Sequence, residues 1–139
     1  MTSSNEFILP VRVYYEDTDA GGVVYHANYL KFMERARTEW LRSLGLEQDE
    51  VAQRLHILFV VGEVSISYKK PARFNEKLFV KTAIKGVGKA SMTFNQGIWR
   101  EKTEGSHELL ASGSVKVVCV NDIEWRATPI PTEIRNLFQ

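Results

Sequence analysis

Cysteine is nearly absent. Cys119 is the only one in 139 residues, so no intramolecular disulfide can form, and its neighbours Val115, Val117, Val118 and Val120 make it read as a small core hydrophobe. Long hydrophobic runs are also missing. The most apolar stretch, residues 57–64, contains Gly62 and Glu63 and is too short to cross a bilayer, so stable membrane insertion is not expected. Residues 1–5 carry no basic segment leading into an apolar one, and together with the single thiol this predicts a cytoplasmic protein. Charge of one sign is lacking as well: 18 Lys and Arg against 17 Asp and Glu leave a net +1. Nucleic-acid binding by counterion release needs a strong basic excess, so no nucleic-acid partner is expected. The three histidines are dispersed and show neither HExxH nor paired CxxC spacing, so no metal is expected. Repeats, low-complexity tracts and Pro/Ser linkers do not occur, and residues 1–139 read as one domain. At 44% hydrophobic residues the chain can bury a real core.

The order of elements can be read from apolar spacing. In residues 7–15 the β-formers Val11, Val13 and Tyr15 alternate with Arg12 and Tyr14, predicting a first strand. Residues 16–25 form an acidic loop containing Gly21 and Gly22. Over residues 28–44 the apolar positions Tyr29, Met33, Ala36, Trp40 and Leu44 recur at helical spacing, and Gly45 supplies the stop. The opposite side, with Lys31, Glu34, Arg35, Thr38, Glu39 and Arg42, reads as a solvated face. A short helix over residues 48–55 precedes strands at 57–68, 78–87, 91–100 and 109–120, and a short helix is expected after Pro131 in the tail 129–139. Turn residues at Gly86-Val87-Gly88-Lys89 and over residues 101–107 make the later strands antiparallel neighbours. The fold class is α+β: an antiparallel sheet of about five strands wrapped around one long helix. Long strands with uncovered edges favour pairing between subunits, hence a homodimer or homotetramer.

The chemistry concentrates in Tyr15-Glu16-Asp17-Thr18-Asp19-Ala20-Gly21-Gly22-Val23-Val24-Tyr25-His26-Ala27-Asn28-Tyr29. Two aspartates and a histidine lie on a Gly-containing loop that runs into a helix. A helix start offers N–H groups without intrahelical acceptors, and these can stabilise an oxyanion. A carboxylate beside them can attack a carbonyl or deprotonate water. The same aspartates could also serve only as turn and capping groups.

This loop, together with Pro10-Val11-Arg12-Val13-Tyr14-Tyr15, Pro71-Ala72-Arg73, Val117-Val118-Cys119-Val120 and the Arg126 region, resembles the hotdog-fold thioesterases of the 4-hydroxybenzoyl-CoA type. Within them it is similar to the YbgC-like proteins associated with the Tol-Pal system. The resemblance implies hydrolysis of an acyl-CoA thioester, with no cofactor beyond the coenzyme A of the substrate. It implies Asp19 as nucleophile or general base, Asp17 in support, and the backbone N–H of His26, preceded by Tyr25, polarising the carbonyl. Lys89, Ser91 and Arg126 would lie near the nucleotide end of coenzyme A. The acyl group would enter between the helix and the 57–61 strand, where Val60 and Val61 are the substrate-binding candidates. An acyl carrier protein is the alternative carrier. Two other readings stand beside hydrolysis. Hotdog domains also act as hydratases and dehydratases, and here His26 with Glu34 or Glu39 would move a proton. The cluster Lys69, Lys70 and Arg73 could instead serve a non-catalytic carrier-binding module.

Overall fold

The computed structural model describes residues 6–138, so the segment read for a leader, 1–5, and Gln139 lie outside the described residues. The elements run β1 (Glu6–Arg12), α1 (His26–Ser43), α2 (Gln48–Leu55), β2 (Ile57–Tyr68), β3 (Lys77–Val87), β4 (Ser91–Thr103), β5 (Ser106–Asn121) and α3 (Thr132–Arg135). One antiparallel sheet has the order β1-β3-β4-β5-β2, which leaves β1 and β2 as its edges. Consecutive hairpins account for β3-β4-β5, as their turn residues predict.

The 18-residue helix α1, about 27 Å long, packs across β1, β3 and β4. Tyr29, Phe32, Met33, Ala36 and Trp40 are buried on its inner face, against Leu78, Val80, Phe94 and Ile98 of the sheet. Each such large apolar side chain contributes about 1.5–3 kcal/mol by leaving water. Cys119 is buried in this core and free, and burial pushes its thiol pKa up.

Three boundaries differ from the periodicity. Residues 13–15 do not extend β1: the strand ends at Arg12, and Tyr15–Asp17 form a single 3-10 turn. Val13 is buried as alternation requires, but Tyr15 is 75% exposed and stacks on Phe74 instead. The helix begins at His26, two residues before the start at residue 28 that the spacing predicts. In the tail, the helix after Pro131 is a single turn followed by a 3-10 turn, Asn136–Phe138.

Close approach of α1 to the sheet depends on Gly113 of β5. A Cβ there would stand 2.6 Å from the Ser65 carbonyl oxygen and 3.2 Å from the Met33 Cε. Gly113→Ala is therefore expected to destabilise the fold by about 1–3 kcal/mol through overpacking, read as a lower urea midpoint; an unchanged midpoint would show that the sheet yields without cost.

Candidate active site

The loop before α1 is built by Asp17. Its carboxylate accepts hydrogen bonds from the Tyr14 N–H at 2.8 Å and from the Asn28 side-chain amide at 3.0 Å, and its carbonyl accepts one from the Tyr25 N–H at 2.9 Å. The first turn of α1 is thereby tied to the loop that feeds it. Two residues on, Asp19 closes a tight turn: its Oδ1 accepts the Gly21 N–H at 2.9 Å, and Gly22 takes a φ of +82°, a conformation glycine adopts without strain. Oδ2 of Asp19 has no partner among the described residues, and the side chain is exposed.

Helices are usually capped by Ser, Thr, Asp or Asn, whose side chain takes up an orphan N–H. Here the cap position is Tyr25, which makes no side-chain cap. The N–H groups of His26 and Ala27 accordingly meet no acceptor among the described residues. A positive, unfilled helix end and a carboxylate with a free oxygen thus belong to one short loop. The His26 ring lies 4.6 Å from that of Tyr25 and edge-on to Tyr68 at 6.3 Å. The Tyr68 hydroxyl donates to the His26 carbonyl at 3.0 Å, anchoring the helix start to the end of β2.

A second segment, residues 71–76, holds the loop from the other side. Val24 donates to the Ala72 carbonyl at 2.8 Å, Val23 bridges Arg73, and the Tyr29 hydroxyl accepts the Ala72 N–H at 2.9 Å. Arg100 of β4 braces this segment through the Pro71 carbonyl and Glu76, and pairs with Glu108 of β5 at 2.8 Å. Lys70 pairs with Glu108 as well, so part of the basic cluster Lys69-Lys70-Arg73 is engaged within the chain. Tyr68, Asn28 and Arg100 escaped the reading of the sequence because their partners lie 42, 11 and 24 residues away, beyond any local pattern.

A cleft of about 300 Å³ opens one turn past His26, between α1 and strands β2, β4 and β5, with Gln48 of α2 at its rim. Phe59, Val61 and Val64 line it from β2. Val61 and Val64 share this side because a bulge intervenes between Val61 and Glu63. Val60 does not line it; strand alternation turns its side chain to the other face. The helix contributes Lys31, Glu34 and Thr38, so the face read as solvated forms one wall of the cleft. Lys89 and Ser91 sit at the β3-β4 hairpin and Arg126 follows β5. The pairs Ser91 with Val118 and Val120 with Ala127 bring them to one end of the sheet. Tyr68, beside His26, pairs with Ala111, seven residues and about 24 Å of strand away. Within one chain the loop and this basic end therefore stand apart. No group of three or more His, Cys, Asp or Glu among the described residues is arranged to hold a metal ion, and no helix among them is long and apolar enough to cross a membrane.

Residues 21–106 match the thioesterase superfamily. The chain belongs to that family. It is 42% identical to the acyl-CoA thioesterase YbgC of Haemophilus influenzae, over 96% of this chain and 95% of that one. Its structure superimposes on a 1,4-dihydroxy-2-naphthoyl-CoA thioesterase from Synechocystis with a TM-score of 0.87 and 25% identity, covering 96% and 95% of the two chains. At 21% identity the 4-hydroxybenzoyl-CoA thioesterase of Pseudomonas sp. strain CBS-3 shares the fold, with a TM-score of 0.88 over 96% of this chain and 99% of that one. Sheet and helix are those of the hotdog fold, as the sequence resemblance implies, and the activity is hydrolysis of acyl-CoA thioesters.

The brace under the loop is sensitive to acid. Hydrogen bonds from Lys70 and Arg100 hold the Glu108 carboxyl down at about 2, against an ordinary value of 4.5. A depressed folded-state pKa contributes stability that is present above the unfolded value and is lost as pH falls through the folded one. Glu108→Gln should therefore lower the thermal midpoint at neutral pH, with the gap to wild type narrowing between pH 4.5 and about 2. Melting curves across that range provide the check, and a constant gap contradicts it.

Proposed function

We propose that this acyl-CoA thioesterase uses Asp19 as its catalytic carboxylate and the His26 N–H to polarise the thioester carbonyl. The observation that carries the proposal is the free Asp19 oxygen on the loop that feeds an uncapped helix start. As charge develops on the carbonyl oxygen, the N–H groups at that helix start stabilise it in place, without reorganisation. Asp19 then acts in one of two ways. It attacks the carbonyl carbon, expels the coenzyme A thiolate and leaves a mixed anhydride that water opens; or it takes a proton from water, which attacks the same carbon. Either route consumes one water and releases a free acid and the thiol of coenzyme A. Asp17 supports the site by holding the loop. The Tyr25 and His26 side chains flank the reacting group, where the imidazole can orient water or substrate. Asp19→Asn should lower kcat by about 10²–10⁴-fold with little change in KM, followed as thiol release from an acyl-CoA panel. Equal release by both proteins overturns the assignment; hydration of an enoyl-CoA with no thiol release favours the hydratase reading.

The working unit in this proposal is at least a homodimer joined through β2. That edge is 12 residues long and leaves Val61 53% and Val64 45% exposed, whereas the β1 edge is 7 residues long and carries Pro10. Long apolar edges are the ones that recruit another strand. Antiparallel pairing of two β2 strands reverses the ends of the second sheet, so its Lys89, Ser91 and Arg126 approach the first chain's loop. Coenzyme A would then bind with its phosphates on those residues and its acyl group in the cleft along Val61, with Val60 on the opposite face of the strand. Its cytoplasmic location and acceptance of acyl carrier protein belong to the same proposal. Val64→Lys is expected to yield monomers in sedimentation and to lose most thioesterase activity; a fully active monomer rules out the shared site.

A further inference from the structure

Arg37 is unlike the other cations of α1. It is 8% exposed, on the buried face of the helix, and it lines the cleft. Its Nη1 donates to the Gln96 Oε1 at 3.0 Å, which is its one hydrogen bond among the described residues, and no carboxylate among them lies within ion-pair distance. Gln96 cannot swing away to release it. The Gln96 amide donates both to the Met33 carbonyl at 2.9 Å and to the Thr82 hydroxyl at 2.8 Å, and Gln96 and Thr82 are buried. A guanidinium has five N–H donors in a fixed plane, so most of this group's capacity is unused. Those unused donors are not sealed in the core, since no buried unsatisfied atom belongs to Arg37, and the cleft that Arg37 lines is where a ligand would meet them. Burial lowers the pKa of Arg37 and the charge of Glu34, one turn away, raises it, but an arginine stays charged under either influence.

Burying a charge without its full set of partners costs several kcal/mol, and an alkyl chain lying against it would add to that cost. An oxygen-bearing group would relieve it. Because Gln96 links the guanidinium to Met33, the free donors sit about two turns, or roughly 11 Å, along α1 from the helix start at His26. We propose that Arg37 is a specificity residue that reads the far end of a medium-length acyl group, selecting one terminated by a carboxylate over the plain alkyl chain of the same length. A bidentate carboxylate fits the planar fork best, and a hydroxyl fits it less well. The proposal rests on the reading of the cleft as the acyl pocket.

Binding of non-hydrolysable thioether analogues separates the two ideas. Calorimetry with the octanoyl-CoA and suberyl-CoA analogues, and with the shorter hexanoyl and adipyl pair, needs no turnover. The wild type should bind the suberyl analogue at least about tenfold more tightly than the octanoyl one, the size expected of a charge-assisted hydrogen bond. In Arg37→Met that preference should vanish or reverse while the octanoyl analogue still binds. Equal affinity of the wild type for both members of each pair overturns the role of Arg37, even if Arg37→Met does not fold. So does a preference that survives in a folded Arg37→Met. Failure of Asp19 as the catalytic group appears only in thiol release and leaves these affinities unchanged.

Discussion

Burial of Tyr29, Phe32, Met33, Ala36 and Trp40 seats α1 against the sheet, and the placement of the loop that leads into it depends on that seating. A packed helix cannot slide along its axis without opening voids, because interiors are packed at crystal-like density. Its first N–H groups are therefore fixed points. The Tyr68 hydroxyl, the Asp17–Asn28 pair and the Tyr29–Ala72 bond attach the loop and the neighbouring 71–76 segment to that fixed start. The proposed role of the helix start draws on such rigidity, since preorganised donors act on developing charge without moving at the moment of reaction.

The polar groups that the core tolerates are arranged along the same helix. Arg37, Gln96 and Thr82 form a buried chain of hydrogen bonds beneath α1, where an apolar set would pack at less cost. That cost makes the wall of the cleft chemically uneven: Phe59, Val61 and Val64 on one side, and Lys31, Glu34 and Arg37 on the other. The bulge in β2 serves the same cleft by turning two valines inward that strict alternation would separate.

Much of the fold is legible in the sequence. The stripe from Tyr29 to Trp40 and the hairpins between β3, β4 and β5 follow from periodicity and turn residues that act over a few positions. Residues 13–15 were not legible, since alternation continues through Tyr15 after the hydrogen-bonded pairing with β3 has stopped at Arg12. Nor was the polar wall of the cleft, because a charged helix face looks the same in sequence whether it meets solvent or a groove. The loop itself could be read as a candidate site, since Asp, Gly and a helix start are adjacent in the chain. Its supports were not, for Arg100, Tyr68 and Ala72 come from other strands and turns.

By itself the sequence determined the family of this protein, its strand and helix order, and the loop that carries Asp19 and runs into α1. These depend on local spacing and on a motif contiguous along the chain. Only the tertiary structure decided that Tyr25 leaves the helix end uncapped, that Asp17 is committed to holding the loop, and that Lys89, Ser91 and Arg126 stand at the far end of the sheet. It alone set Arg37 facing the cleft. Those are matters of distance between segments remote in sequence, and distance is set by which faces bury together.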